Sequence, residues 1–178
     1  MHNKLILFLT LMFSSLFFCT KKPDPIPVWD FEPEGITIHY EADKLLNVFN
    51  DEPHTVVMIV YQLTGIDAFN NLVKNEDGLK KLLREESFDL TVLSIDRIIV
   101  QPEDTKTLVV DRAEKARWVG IVAGYYELIP GLVNHSFQIP FAVERTGRFW
   151  KKEKTAKVNN LHIKLLLGTR GIQKAGTL

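Results

Sequence analysis

The run Trp118-Val-Gly-Ile-Val-Ala-Gly-Tyr-Tyr126 constrains this chain more than any other stretch, because it contains no charged residue and carries glycines at 120 and 124. Glu114-Lys115 stands before it and Pro130-Gly131 after it. It is far shorter than the ~20 apolar residues a membrane-spanning helix needs, and it reads as a strand buried on both faces. Glycine within such a strand marks a bulge or the close approach of another backbone. The run is therefore expected to be the central core strand of a β-sandwich.

Further apolar, β-branched segments fall at Ile36 to Tyr40, Thr55 to Leu63, Leu90 to Val100, Thr107 to Val110, Phe137 to Val143 and Leu161 to Leu167. With Trp118 to Leu128 they make seven short strands separated by turn residues, the pattern of a two-sheet sandwich. One segment differs. Asp67 to Glu86 places Phe69, Leu72, Val73, Leu79, Leu82 and Leu83 near helical spacing, with Asp67 as the expected N-cap and Gly78 dividing the helix. The predicted fold is mainly β, a two-layer sandwich with one helical insertion after the second strand.

The N-terminus reads as an export signal. His2-Asn-Lys4 gives a basic start, and Leu5 to Phe18 is a fourteen-residue apolar stretch of h-region length, so residues 1–18 are expected to be a signal peptide. The single cysteine, Cys19, closes this run after Leu16-Phe17-Phe18, and a cysteine there becomes a lipid-attachment residue. Phe18 departs from the small residue that the cleaving peptidase favours at that position. Two other readings stand beside lipidation: an uncleaved hydrophobic anchor, and ordinary cleavage that leaves a free thiol. Multiple acyl chains hold a protein stably where one holds it marginally. Thr20 follows the cysteine instead of aspartate, which by the enterobacterial sorting rule favours the outer membrane.

Residues 19–33 contain Pro23, Pro25, Pro27 and Pro33 and read as a tether in which neither helix nor sheet propagates. Fully extended, the fourteen residues 20–33 reach about 40 Å. Trp29 and Phe31 are expected to staple its end to the folded domain, which takes residues 34–178. Lys plus Arg and Asp plus Glu both number 22, so there is no global charge to draw either nucleic acid or anionic lipid, and no nucleic-acid partner is expected.

Catalytic signatures are missing from the sequence. His2, His39, His54, His135 and His162 show no ligand spacing, and there is no second cysteine. His39-Tyr-Glu41 reads as a solvated strand face. Gly168-Thr-Arg-Gly171 lacks the lysine and the strand-to-helix setting of a phosphate loop, and reads as the end of the last strand. Neither cofactor nor metal is expected, and the chain does not read as an enzyme.

Two segments can make contacts instead. Asn47-Val-Phe-Asn-Asp-Glu-Pro-His54 joins the first two strands; it reads either as a contact surface or as a hairpin loop whose Phe49 tucks inward. Arg145 to Lys157 sets Arg145, Arg148, Lys151, Lys152, Lys154 and Lys157 against Glu153 alone, with Phe149 and Trp150 between them. It reads as a solvated hairpin, or as a surface for anionic headgroups, cell-wall polymer or an acidic partner.

The central run resembles the Val-Gly-Val-x-Ala-x-Tyr strand of the TssJ family, the outer-membrane lipoproteins of the type VI secretion membrane complex. Ile36-Thr-Ile38 with Asp43-Lys-Leu-Leu-Asn47 is similar to the family's first strand and its exit, and Val60-Tyr-Gln-Leu63 to its second. Phe69 and Leu72 fall where the family has a helix, and Pro102-Glu103 where it has a turn. The resemblance covers residues 34 to 170. It departs at Tyr126, where the family often has a basic residue, and at Ser136-Phe137, where it has Trp-Arg.

The resemblance implies a transthyretin-like sandwich and a non-catalytic role. An outer-membrane lipoprotein, anchored through acylated Cys19 and facing the periplasm, would bind the periplasmic part of an inner-membrane TssM-like protein. It makes Val48, Phe49, Asn50, Asp51 and Glu52 the candidate partner-binding residues. The alternative is a periplasmic lipoprotein carrier or chaperone-like module that binds a peptide or small ligand. A large apolar cleft would favour the carrier, and a closed core with an exposed hydrophobic loop the scaffold.

Overall fold

The computed structural model describes residues 24–147 and 153–177. The expected signal peptide, Cys19 and the basic-segment residues Arg148, Phe149, Trp150, Lys151 and Lys152 lie outside the described residues.

Alternation of side chains builds the first sheet. β1 (Glu32–Ala42) buries Ile36, Ile38 and Tyr40 and turns Thr37, His39 and Glu41 outward. β9 (Leu161–Leu167) does the same with Leu161, Ile163, Leu165 and Leu167. β1 pairs in parallel with β9 and antiparallel with β4 (Thr105–Arg112), and β10 (Ile172–Thr177) closes the sheet beyond β9. The second sheet runs β3 (Val92–Val100), β2 (Val56–Leu63), β5 (Trp118–Gly124) and β6 (Asn134–Gln138), all antiparallel. A separate ribbon pairs β7 (Phe141–Thr146) with β8 (Glu153–Val158).

β2 and β5 are buried on both faces, for two different reasons. On the inner face Met58, Val60, Ile121 and Ala123 meet the first sheet across an apolar core. On the outer face two short helices, α1 (Asp67–Leu72) and α2 (Glu76–Leu82), cover them. Tyr61 and Gly120 lie opposite each other in register, and Phe69 of α1 sits over both. A Cβ at Gly120 would stand 2.7 Å from the Phe69 ring. The close approach expected of a strand glycine is thus made by an aromatic side chain, not by a backbone. Full burial of Phe69 stabilises the helix–sheet contact by roughly 1.5–3 kcal/mol. The Tyr61 hydroxyl donates to the Leu82 carbonyl, and burial pushes its pKa up to about 12.

Several expectations are corrected. The strands number ten among the described residues, not seven. Phe137 to Val143 is two strands in different sheets, because Ile139-Pro140 interrupts the ladder and proline cannot donate to it. Gly168 to Gly171 is the turn between β9 and β10, not the end of the last strand. The central strand stops at Gly124, and Tyr125 to Leu128 belongs to a loop. Asp67 is the first residue of α1 and not its cap, whereas Asn75 caps α2 by accepting from the Gly78 N–H at 2.9 Å. The helical insertion divides at Val73 to Asn75, and Gly78 lies inside α2. A Cβ at Gly78 would stand 2.0 Å from the Leu72 carbonyl, so this glycine admits the end of α1.

The segment before β1 is docked on the domain. Lys115 N–H donates to the Trp29 carbonyl at 2.7 Å, and Arg112, 3% exposed, donates to the Asp30 carbonyl at 3.1 Å. The Trp29 ring meets Phe141 edge-on at 6.1 Å, and the Arg117 guanidinium lies 5.9 Å from the Trp29 ring centre. Trp29 staples the segment as expected. Phe31 does not, since it is 56% exposed.

A methyl group at Gly120 has no room against a buried ring. Gly120→Ala is expected to destabilise the domain by about 1–3 kcal/mol, the usual cost of overpacking, as measured by urea unfolding.

Candidate partner-binding site

At one end of the sandwich three loops converge: the β1–β2 connection, the β5–β6 connection and the β9–β10 turn. Asn47 holds them together. It is buried, with a left-handed φ of 49°, a conformation that asparagine adopts more readily than most residues. Its side-chain amide donates to the Thr55 carbonyl at 3.1 Å, and its Oδ1 accepts from the Tyr126 N–H at 2.9 Å. Its own N–H reaches the Gly168 carbonyl at 3.3 Å, and Val48 N–H reaches the Thr169 carbonyl at 3.1 Å. The buried Tyr125 hydroxyl completes the set by donating to the Gly171 carbonyl at 3.0 Å, and burial raises its pKa.

Upon that support the chain forms a tight hairpin tip. Phe49 and Glu52 exchange both backbone hydrogen bonds, at 3.0 and 3.1 Å. Asn50 and Asp51 between them have φ of 51° and 63°. Two successive left-handed residues make the type I′ turn that suits a two-residue hairpin, and Asn and Asp tolerate that region. Asn50, Asp51 and Glu52 are exposed, and Val48 is half-buried.

Phe49 does not tuck inward. It remains 46% exposed and stacks on Tyr126 with centroids 4.2 Å apart and planes 12° from parallel. His54 meets both rings edge-on, at 6.4 and 5.1 Å, and its Nδ1–H donates to the Glu52 carbonyl at 2.9 Å. Tyr126 is 53% exposed. The result is a rigid aromatic pair beside an acidic, hydrogen-bonding turn, a composition suited to anchoring a protein partner. The five candidate residues are thus brought together, and the structure adds Tyr126, His54 and the organising Asn47. The sequence signal for Tyr126 is an aromatic residue placed just past the end of an apolar strand. Nothing in the sequence pairs it with Phe49.

Among the described residues the remaining polar groups form no converging catalytic set. His39, on the outward face of β1, approaches Thr107 Oγ1 at 3.1 Å and Glu41 Oε1 at 3.3 Å, while Lys164 holds Glu41 at 2.8 Å. Among the described residues no group of three His, Cys, Asp or Glu side chains could hold a metal. The sandwich interior is closed, with Ile38, Met58, Val60, Ile121 and Leu165 fully buried. The cleft beside Phe49 and Tyr126 measures about 160 Å³, below the ~300–1,000 Å³ of small-molecule sites, whereas a surface cleft between Trp29, Ile66, Arg117 and Phe141 measures about 500 Å³ and is about equally polar and apolar.

A two-sheet sandwich with short helices over one sheet is the fold of the TssJ-type lipoproteins. The crystal structure of the type VI secretion lipoprotein TssJ1 from Pseudomonas aeruginosa superposes with a TM-score of 0.60 at 15% identity, covering 85% of this chain and 98% of that one. Lip of Serratia marcescens, a membrane-bound component of the type VI secretion system, superposes at 0.57 with 20% identity, over 80% of this chain and 96% of that one. A structure described as the TssM C-terminal domain from EAEC gives 0.56 at 12% identity, over 80% and 96%. At such identities the likeness is one of fold. No curated protein matches the chain significantly. The family model described as "Type VI secretion lipoprotein, VasD, EvfM, TssJ" matches residues 34–165, most of the chain, and the chain belongs to that family. It is a family of structural components of the secretion system, not one known for enzymes.

Asn47 is the residue on which the hairpin tip depends. Asn47→Ala leaves the Tyr126 N–H and the Thr55 carbonyl without their partner and puts alanine in a left-handed conformation. The expected loss is about 2–3 kcal/mol in urea unfolding, with faster hydrogen exchange in the three loops.

Proposed function

We propose that this lipoprotein bridges the two membranes of a type VI secretion complex, anchored in the outer membrane through acylated Cys19 and gripping the periplasmic part of a TssM-like inner-membrane protein. The observation that carries the reading is the Phe49–Tyr126 stack, half-exposed on a hairpin tip that Asn47 pins to two neighbouring loops. A rigid, partly exposed aromatic pair loses little entropy on binding and makes a natural hot spot.

Placement supports the same reading. The docked N-terminal segment enters β1 at Glu32, and the partner tip follows the other end of β1 at Ala42. Eleven strand residues separate those ends by about 35 Å. A pull on the tip would pass along β1, which is hydrogen-bonded on both sides to β4 and β9, and no catalysis is involved. Val48, Phe49, Asn50, Asp51 and Glu52 form the contact on this reading, with Tyr126 added. The filled core offers a ligand carrier no interior site, and that alternative would have to seat its ligand in the surface cleft of about 500 Å³ beside Trp29.

Capture from cells that make the secretion complex tests the interface. Wild-type protein should retain a large inner-membrane partner, and Phe49→Ala with Tyr126→Ala should weaken capture tenfold or more, since each aromatic anchor contributes at least about 1 kcal/mol. Undiminished capture by the folded double variant would refute the loop assignment. In cells lacking the partner, Cys19→Ala is expected to move the protein from the membrane fraction to the soluble periplasmic fraction. Retention in the membrane would speak instead for an uncleaved hydrophobic anchor.

A further inference from the structure

The end of the molecule opposite the partner tip carries apolar surface that the bridging role leaves unused. In segment 24–31 Pro25, Pro27 and Trp29 are half-buried against the domain, while Ile26, Val28 and Phe31 point away from it at 84%, 70% and 56% exposure. Beside this segment lies the β7–β8 ribbon, whose strands pair only with each other. Its register sets Phe141 opposite Val158, Val143 opposite Ala156 and Arg145 opposite Lys154, which puts an apolar face ending in two cations on one side. The other side carries Glu144, Thr155, Thr146 and Glu153 and is polar. The segment lies along the apolar face, with Trp29 on Phe141 at one end and Asp24 ion-paired to Lys154 at the other. Phe141 and Val143 nevertheless remain 43% and 39% exposed.

The length of chain before this segment fixes what can cover it. Five residues lead from Cys19 to Asp24, and extended chain spans about 3 Å per residue. A lipid-anchored Cys19 therefore keeps Asp24 and the ribbon end at Arg145 and Lys154 within about 15 Å of the headgroups. The free reach is much shorter than the 40 Å that residues 20–33 alone would allow. An apolar surface held that close to lipid, with Arg145 exposed beside it, matches the headgroup boundary, where apolar side chains enter and cations meet phosphate.

We infer that segment 24–31 and the apolar face of the β7–β8 ribbon form a second membrane contact, which lays this end of the domain on a bilayer of anionic phospholipid. Ile26, Val28 and Val143 enter the interfacial layer, and Arg145 faces the phosphates. The acyl anchor then serves as one of two membrane signals, and the domain is oriented with its partner tip away from the lipid. The inference rests on the lipid-anchor reading of Cys19.

Site-specific nitroxide labels test it in the membrane-purified protein reconstituted into phosphatidylethanolamine–phosphatidylglycerol vesicles. With Cys19 acylated no other thiol competes for the label. Labels are placed at Val143→Cys on the ribbon and at Val109→Cys, an exposed position on β4. On vesicles the label at 143 should collide with a water-soluble nickel complex at least threefold less than the label at 109. Adding Ile26→Glu and Val28→Glu should bring the two rates together while the protein stays on the vesicles. Equal rates in the vesicle-bound unaltered protein would overturn the inference and leave the anchor standing. Failure of the protein to stay on vesicles at all would overturn both. Protection at 143 that rises with protein concentration, with or without lipid, would assign the face to a second copy and so overturn the lipid contact.

Discussion

Phe69 resting on Gly120 is the contact from which the rest of the architecture follows. β5 is too apolar to leave either face in water, and one sheet partner covers only its inner side. The outer side is covered because Gly120 has no Cβ, so a fully buried aromatic ring can lie directly on the strand. Tyr61, opposite Gly120 in register, extends the platform and ties it to the second helix through the Leu82 carbonyl. Gly78 allows that helix to approach the end of the first. Two short helices, each too short to be stable alone, thereby become part of one core.

A core closed on both sides moves function to the ends of the strands. At one end Asn47 satisfies the backbone groups of its neighbours and holds the β1–β2 tip against the loop that carries Tyr126. The proposed contact surface is therefore preorganised: Phe49 already stacks on Tyr126, and the turn beneath it is fixed by reciprocal hydrogen bonds. At the other end Arg112 and Lys115 hold the carbonyls of Asp30 and Trp29, which prevents the proline-rich segment from acting as a loose leash over its whole length.

The proposed bridging role gives these two ends a mechanical logic. Force applied between lipid and partner would run along β1, in the middle of its sheet between a parallel and an antiparallel neighbour. Gln62 links the sheets near the end that carries the docked N-terminal segment, donating to the Asp111 carbonyl and accepting from the Ala113 N–H, both at 2.8 Å. Its burial inside an otherwise apolar strand had no distinct sequence signal.

The periodicities written into the sequence determined most of the strands, the helical insertion and the central place of β5, because side-chain alternation is a local property of the chain. The order of short motifs pointed to the family, and the apolar stretch ending at Cys19 pointed to export. Other features were decided only on folding. Ile139-Pro140 reads as part of one apolar run, yet it divides two strands because ladder hydrogen bonds cannot pass a proline without an N–H. β8 and β10 were missed because Lys-rich and Gly-containing segments show no apolar alternation, and it is pairing with a neighbour that makes them strands. The candidate loop residues were legible as an aromatic residue among turn formers. Tyr126 as their partner was not, since 77 residues separate it from Phe49 and only the sandwich topology brings the end of β5 beside the β1–β2 tip.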